Sequence, residues 1–64
     1  MEITLNGEKE LINFLTINAL LAAKELDPKE VVVELNGKIV PKSEYGQTIQ
    51  EGDSLELVQF VGGG

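Results

Sequence analysis

With 64 residues and 42% hydrophobic side chains, this chain is long enough for one small domain and too apolar to remain disordered. Its net charge of −6 would repel nucleic acid and favours a protein partner with a basic surface. Histidine is absent, so the chain lacks the usual general base. Arginine and cysteine are also absent, so it has neither a bidentate phosphate clamp nor a thiolate for catalysis or metal binding. We therefore do not expect a self-sufficient enzyme.

The chain opens with a predicted β-hairpin. Residues 1–5 alternate apolar and polar side chains, which is the period-two pattern of a half-buried strand. Asn6-Gly7 follows and predicts a two-residue type I′ turn, because both central positions of that turn need a positive φ. Residues 8–11 should therefore return as an antiparallel second strand. Residues 12–15 fit either a helical or a strand period.

One short helix is predicted next. Thr16 is a suitable N-cap, because its hydroxyl can accept a hydrogen bond from an N–H group of the first turn. An apolar stripe at helical spacing follows, formed by Ile17, Leu20, Leu21 and residues 23–26. Pro28 predicts the end of the helix, because Asp27 before it is disfavoured in the α region. The helix should be about ten residues long and should pack against a sheet, since isolated helices of this length are marginal in water.

Three further strands are predicted after the helix. Residues 31–35 and 38–40 form a second hairpin around Asn36-Gly37, and Pro41 ends it. Residues 41–50 predict an irregular crossing with a short 3₁₀ turn at residues 43–45. The last strand should run from about residue 54 to residue 60. This order predicts an α+β domain, with a mixed sheet of four to five strands and one helix on one face.

The first and last strands are the most continuously apolar, which predicts that they lie side by side and parallel in the middle of the sheet. In the last strand, Leu55 and Leu57 should face the helix. Val58 and Phe60 should then lie on the open face beside Val32, in an apolar patch suited to partner docking. The alternative is that Phe60 folds over the sheet edge and joins the core.

The chain finishes with Gly62, Gly63 and Gly64 directly after the last predicted strand. Glycine leaves the backbone thin and free to adopt any φ, so we expect residues 1–61 to form the domain and residues 62–64 a flexible tail. Residues 61–64 can extend roughly 13–14 Å, far enough to enter the active site of another protein. The alternative is an inert chain end, since terminal residues are commonly frayed.

The whole chain resembles the ThiS family of sulfur carriers, within the ubiquitin-like β-grasp superfamily. The resemblance is carried by the opening residues 1–7, by Leu35-Asn36-Gly37-Lys38-Ile39-Val40-Pro41 with the aromatic Tyr45 after it, by Glu51-Gly52-Asp53, and by the tail at residues 58–64. The segment around the second Asn-Gly turn together with the tail is the most specific part of the match, whereas the helix region is generic.

The resemblance implies a covalent carrier that is a co-substrate and not an enzyme. An α-carboxylate is anionic at neutral pH and a poor electrophile, so it needs activation. By resemblance, a ThiF-like adenylyltransferase uses ATP and Mg²⁺ to adenylate Gly64, and a sulfur donor (a cysteine desulfurase or similar) converts the adenylate to a thiocarboxylate. Thiazole synthase, ThiG, then takes the sulfur for thiamine thiazole formation. Gly63 and Gly64 match the family pair directly, and Gly62 extends it. No cofactor is expected on this chain.

Three alternatives stay open from the sequence. These are a molybdopterin-synthase small subunit with a similar tail, a ubiquitin-like modifier joined to lysines, and a protein-binding module with an inert tail. No apolar run approaches the length of a membrane span, and the first residues lack a basic, apolar leader. We therefore expect a cytoplasmic protein that contacts neither membranes nor nucleic acid.

Overall fold

The computed structural model describes residues 1–13 and 15–60, which form a mixed five-stranded sheet with one α-helix against one face. In chain order the elements are β1 (Glu2–Leu5), β2 (Glu8–Leu11), α1 (Ile17–Ala23), a first 3₁₀ helix (Pro28–Glu30), β3 (Val31–Leu35), β4 (Lys38–Val40), a second 3₁₀ helix (Lys42–Glu44) and β5 (Ser54–Gln59). The predicted α+β class and the single helix are confirmed. The boundary predicted after residue 61 lies outside the described residues.

Both Asn-Gly pairs form the predicted type I′ turns. Asn6 and Gly7 have φ values of 49° and 83°, and Asn36 and Gly37 have φ values of 52° and 88°. A two-residue loop fixes which residues face each other, so Leu5 pairs with Glu8 in the first hairpin. The turns therefore set the register of both hairpins.

The sheet has the strand order β2-β1-β5-β3-β4, so β5 lies in the middle and joins the two hairpins. It runs parallel to β1, with Leu5 paired to Leu55, and antiparallel to β3 along five pairs. This confirms the predicted central, parallel placement of the first and last strands.

Each turn asparagine also contacts β5. Asn6 Oδ1 accepts a hydrogen bond from the N–H of Leu57 at 2.8 Å, and Asn36 Oδ1 accepts one from Ser54 at 2.9 Å.

Helix α1 begins as predicted but ends early. The Thr16 hydroxyl accepts a hydrogen bond from the N–H of Ala19 at 3.1 Å, which confirms the N-cap. The helix has seven residues and ends at Ala23, so the prediction of about ten residues bounded by Pro28 was wrong. It ends because Glu25 has a φ of 60° and the N–H of Leu26 bonds the carbonyl of Leu21 at 2.9 Å, as in a Schellman motif.

The crossing from β4 to β5 contributes to the core. Its 3₁₀ helix covers Lys42–Glu44, one residue earlier than predicted, while the first 3₁₀ helix was not predicted. One buried cluster fills the space between the helix and the sheet: Ile3, Leu5, Ile12, Ile17, Leu20, Leu21, Val31, Val33, Val40, Tyr45, Ile49 and Leu55. Over the part of the chain that the structure describes, no helix is long and apolar enough to cross a membrane.

Candidate functional site

The candidate site is the end of β5 and the open face of the sheet next to it. Val31, which pairs with Gln59, is fully buried against the helix side. Because side chains alternate along a strand, the next pair, Val32 and Val58, lies on the opposite, open face. The register therefore places Val58 directly beside Val32, as the sequence predicts.

Apolar surface is exposed along this end of the strand. Val58 is 52% exposed and Phe60 is 56% exposed, whereas Val32, which lies beside Val58 on β3, is half-buried. The alternative in which Phe60 folds into the core is therefore wrong. The helix-facing residues behave as expected, since Leu55 is buried and Leu57 packs partly against the core. The docking role assigned to Val58, Phe60 and Val32 stays a prediction.

The backbone at the end of β5 is held on the side of β3. The N–H of Phe60 donates to the carbonyl of Glu30 at 2.8 Å, which continues the ladder one step beyond the strand. The carbonyl of Val31 accepts hydrogen bonds from the Tyr45 hydroxyl at 2.7 Å and from Lys42 Nζ at 2.9 Å. These contacts hold the start of β3 and, through Glu30, the backbone of Phe60 in place.

Three further residues of the open face were not singled out from the sequence. Glu34 pairs with Glu56 across β3 and β5, and on its other side Glu34 pairs with Ile39 of β4, which is 68% exposed. For Glu34 and Ile39 the signal was available, because the two-residue turn at Asn36-Gly37 fixes their pairing. The turn does not indicate that Glu56 lies opposite Glu34. The open face therefore combines apolar side chains with two facing carboxylates.

The tail residues Gly62, Gly63 and Gly64, together with Val61, lie outside the described residues, so their predicted role in a partner's active site stays a prediction. Residues 1–13 and 15–60 contain no group of three or more histidine, cysteine, aspartate or glutamate side chains arranged to hold a metal ion. The reacting group predicted for Gly64 is the α-carboxylate of that residue and not a side chain.

Comparison with known proteins gives consistent results. The model of the ThiS family matches residues 2–64. The sulfur carrier protein ThiS of Bacillus subtilis is 44% identical over 50 residues, covering 77% of this chain and 76% of that protein. The crystal structure of the thiamine biosynthesis protein ThiS from Geobacter metallireducens covers the full length of both chains, with 32% identity and a TM-score of 0.83.

A second kind of relative is much longer. The thiazole synthase of Paramagnetospirillum magneticum is 46% identical over 68 residues, a match that includes all of this chain but 20% of the relative. The thiazole synthase of Magnetococcus marinus also matches over 20% of its length. This chain therefore spans about a fifth of the length of these two relatives.

Proposed function

The chain belongs to the ThiS family, and from this premise we propose that it is the sulfur carrier of thiamine thiazole formation. The observation that carries the proposal is that the family match runs through residue 64, so it includes the fold and all three glycines of the tail. The alternatives with a molybdopterin-synthase subunit, a lysine-linked modifier or an inert binding module have no comparable support.

The proposed chemistry takes place at the carboxylate of Gly64. One carboxylate oxygen attacks the α-phosphorus of ATP, pyrophosphate leaves, and an acyl-adenylate forms on Gly64. A sulfide equivalent from the sulfur donor then attacks the acyl carbon, and AMP leaves with the bonding electron pair. The product is a thiocarboxylate. ATP and Mg²⁺ belong to the adenylating enzyme, and this chain supplies the acyl group alone.

The described residues support a carrier that presents its tail to a larger enzyme. Val58 and Phe60 expose apolar surface next to the point where β5 ends, which is where an enzyme that accepts the tail would contact the domain. Gly62, Gly63 and Gly64 present no side chains, so a narrow channel could admit them. Docking and chemistry are thereby assigned to two adjacent parts of the chain.

We assign two enzymes and one donor as partners: a ThiF-like adenylyltransferase, a cysteine desulfurase or similar sulfur donor, and thiazole synthase. The relatives named thiazole synthase support the last of these, because each contains a segment similar to this whole chain. Genes for proteins that act together are often found joined, and a segment of this kind inside a thiazole synthase is consistent with direct transfer of sulfur between them.

The test is mass spectrometry of the intact chain after incubation with a ThiF-like enzyme, ATP, Mg²⁺ and a sulfide source. The expected result is a mass change equal to replacement of one oxygen by sulfur, which fragmentation assigns to Gly64. Fragmentation is needed because oxidation of Met1 adds nearly the same mass. The matched control is the chain without Gly63 and Gly64, which should fold equally well and gain no sulfur. If the full chain stays unchanged while a known carrier is loaded by the same enzyme, the proposal fails.

A further inference from the structure

The two hairpin turns of the protein have closely matched sequences. Residues 5–8 read Leu-Asn-Gly-Glu and residues 35–38 read Leu-Asn-Gly-Lys. Asn6 and Asn36 occupy the same turn position, with φ values of 49° and 52°, and both are exposed to water together with the glycine that follows each of them. A chemical difference between the two turns therefore comes from what the fold places around each asparagine.

An asparagine that precedes glycine can lose its side-chain amide without an enzyme. The backbone nitrogen of the glycine gives its proton to hydroxide and attacks Cγ of the asparagine. The Cγ–Nδ2 bond breaks, and the leaving nitrogen takes a proton from water and departs as ammonia. Water then opens the resulting succinimide ring at one of its two carbonyl groups, which gives aspartate or isoaspartate. Glycine favours the attack because it has no side chain that obstructs the approach.

Hydrogen bonds hold the side chain of Asn36 at both ends of its amide. Its Oδ1 accepts a hydrogen bond from the N–H of Ser54 at 2.9 Å, and its Nδ2 donates to Asp53 Oδ1 at 3.0 Å. Asp53 is itself held, because its Oδ2 accepts a hydrogen bond from the N–H of Gln50 at 2.8 Å. The side chain must turn towards the nitrogen of Gly37 for the attack, so both bonds oppose the reaction.

The side chain of Asn6 is held at one end of its amide. Its Oδ1 accepts a hydrogen bond from the N–H of Leu57 at 2.8 Å, whereas its Nδ2 has no hydrogen-bond partner among residues 1–13 and 15–60. Asn6 also lines an open cavity of about 440 Å³ together with Glu8 and Leu57. The cavity leaves room for the side chain to turn and for water to reach the ring that forms.

This difference assigns different reactivity to the two turns. We propose that Asn6 is the site at which the folded protein deamidates, through a succinimide with Gly7, and that Asp53 protects Asn36 from the same reaction. A hydrogen bond to an ionised carboxylate is stronger than one between neutral groups, so the bond to Asp53 is the restraint that separates the two sites. The inference goes beyond the proposed function and does not depend on it.

Isoaspartate is the product that damages the fold. It adds one methylene to the backbone, so the turn no longer has the length that pairs Leu5 with Glu8. The carboxylate that remains as its side chain is one methylene shorter than Asn6, so its reach towards the N–H of Leu57 is reduced. Aspartate keeps an acceptor oxygen but adds a negative charge to a cavity that Glu8 and Glu10 already line.

The test is incubation of the native chain in mildly alkaline buffer, both folded and in concentrated urea. Peptide mapping by mass spectrometry follows, at each site, the mass increase that replacement of NH₂ by OH produces. Methyl transfer from S-adenosylmethionine by an isoaspartyl methyltransferase counts the isoaspartate. In the folded chain Asn6 should react roughly tenfold faster than Asn36. In urea the two sites should react at equal rates, because their local sequences match. Equal rates in the folded chain, or a faster reaction at Asn36, would overturn the inference.

Asp53→Ala tests the protection of Asn36 directly. The variant should raise the rate at Asn36 roughly tenfold and leave the rate at Asn6 unchanged. Glu51→Ala is the matched control, because the Glu51 carboxylate lies in the same turn but accepts from the N–H of Glu2, so both rates should stay at their native values. A rise by the same factor at both asparagines in Asp53→Ala would assign the effect to unfolding and overturn the role of Asp53, as would an unchanged rate at Asn36.

Discussion

The Tyr45 hydroxyl donates a 2.7 Å hydrogen bond to the carbonyl of Val31, at the start of the strand that pairs with the end of β5. Pairing between β3 and β4 ends at Val33 and Val40, two residues short of Val31. The buried tyrosine and Lys42 supply donors where the sheet partner stops. Tyr45 thereby connects the crossing segment to the start of β3, which pairs with the end of β5.

Replacing Tyr45 by phenylalanine should lower stability modestly. The variant loses one buried hydrogen bond but keeps Lys42 as a donor to Val31, so the free energy of unfolding should fall by about 1 kcal/mol. For a domain of this size, that loss lowers Tm by about 4–8 °C in thermal unfolding. An unchanged Tm would mean that water replaces the hydroxyl at no cost.

The combination of Tyr45→Phe with Lys42→Met should cost more than the sum of the single changes. Each single variant leaves one side-chain donor on the Val31 carbonyl, whereas the double variant leaves none. An unpaired, partly buried carbonyl costs more than one lost hydrogen bond, so we expect an excess of about 1 kcal/mol in a double-mutant cycle. Simple additivity would show that the two donors act independently.

Glu25→Gly should stabilise the protein. Glu25 follows the helix C-cap with a φ of 60°, a conformation that costs an ordinary residue about 1–2 kcal/mol and glycine little. The greater freedom of glycine in the unfolded chain lowers the free energy of unfolding by about 0.5–1 kcal/mol. We therefore expect a net rise in the free energy of unfolding of about 0.5–1 kcal/mol, measured by chemical denaturation. Glu25→Ala is the control, because it removes the charge but keeps the strained Cβ, and it should gain much less.

Asn6→Gly should destabilise the protein although glycine suits the positive φ at this position. The Asn6 side chain accepts a 2.8 Å hydrogen bond from the N–H of Leu57 on the central strand, and glycine cannot replace it. We expect a loss of about 1 kcal/mol in thermal unfolding, with faster amide exchange at Leu57. Asn6→Asp keeps an acceptor oxygen and should retain slow exchange at that amide. Fast exchange at Leu57 in both variants would show that the Asn6 side-chain hydrogen bond is not what protects this amide.

Phe60→Ala should impair adenylation without impairing the fold. Phe60 is 56% exposed, so truncation removes little core packing and should change stability by about 0.5 kcal/mol or less. If Phe60 docks on the adenylating enzyme, kcat/KM for loading should fall roughly tenfold or more. Leu11→Ala is the matched control, since Leu11 is 79% exposed and lies on edge strand β2, two strands away from β5. Equal loading by Phe60→Ala and Leu11→Ala would show that docking does not use the end of β5.

The strands and their faces could be predicted from the sequence because local signals determine them. An Asn-Gly pair specifies a type I′ turn, the turn fixes the pairing, and alternation then assigns each side chain to a face. Val58 was placed on the open face by alternation alone, because Leu55 and Leu57 were expected to face the helix, and the register confirms it. The position of Val32 beside it needed the additional prediction that the last strand is central.

Other features depend on contacts that no local pattern encodes. The helix ends at Ala23 because Glu25 adopts a left-handed conformation, which asparagine or glycine would have indicated and glutamate did not. The role of Tyr45 depends on a carbonyl 14 residues earlier in the chain. The facing carboxylates of Glu34 and Glu56 come from strands separated by the whole crossing segment, so their proximity follows from topology alone.

The position of β5 has a consequence for synthesis of the protein. The hairpins β1–β2 and β3–β4 each contact the rest of the sheet through β5, which is the last of the five strands to leave the ribosome. A nascent chain that stops before Ser54 has two hairpins and no strand to connect them. Folding must therefore wait until the segment just before the glycines has been made, so incomplete chains are left open to proteases.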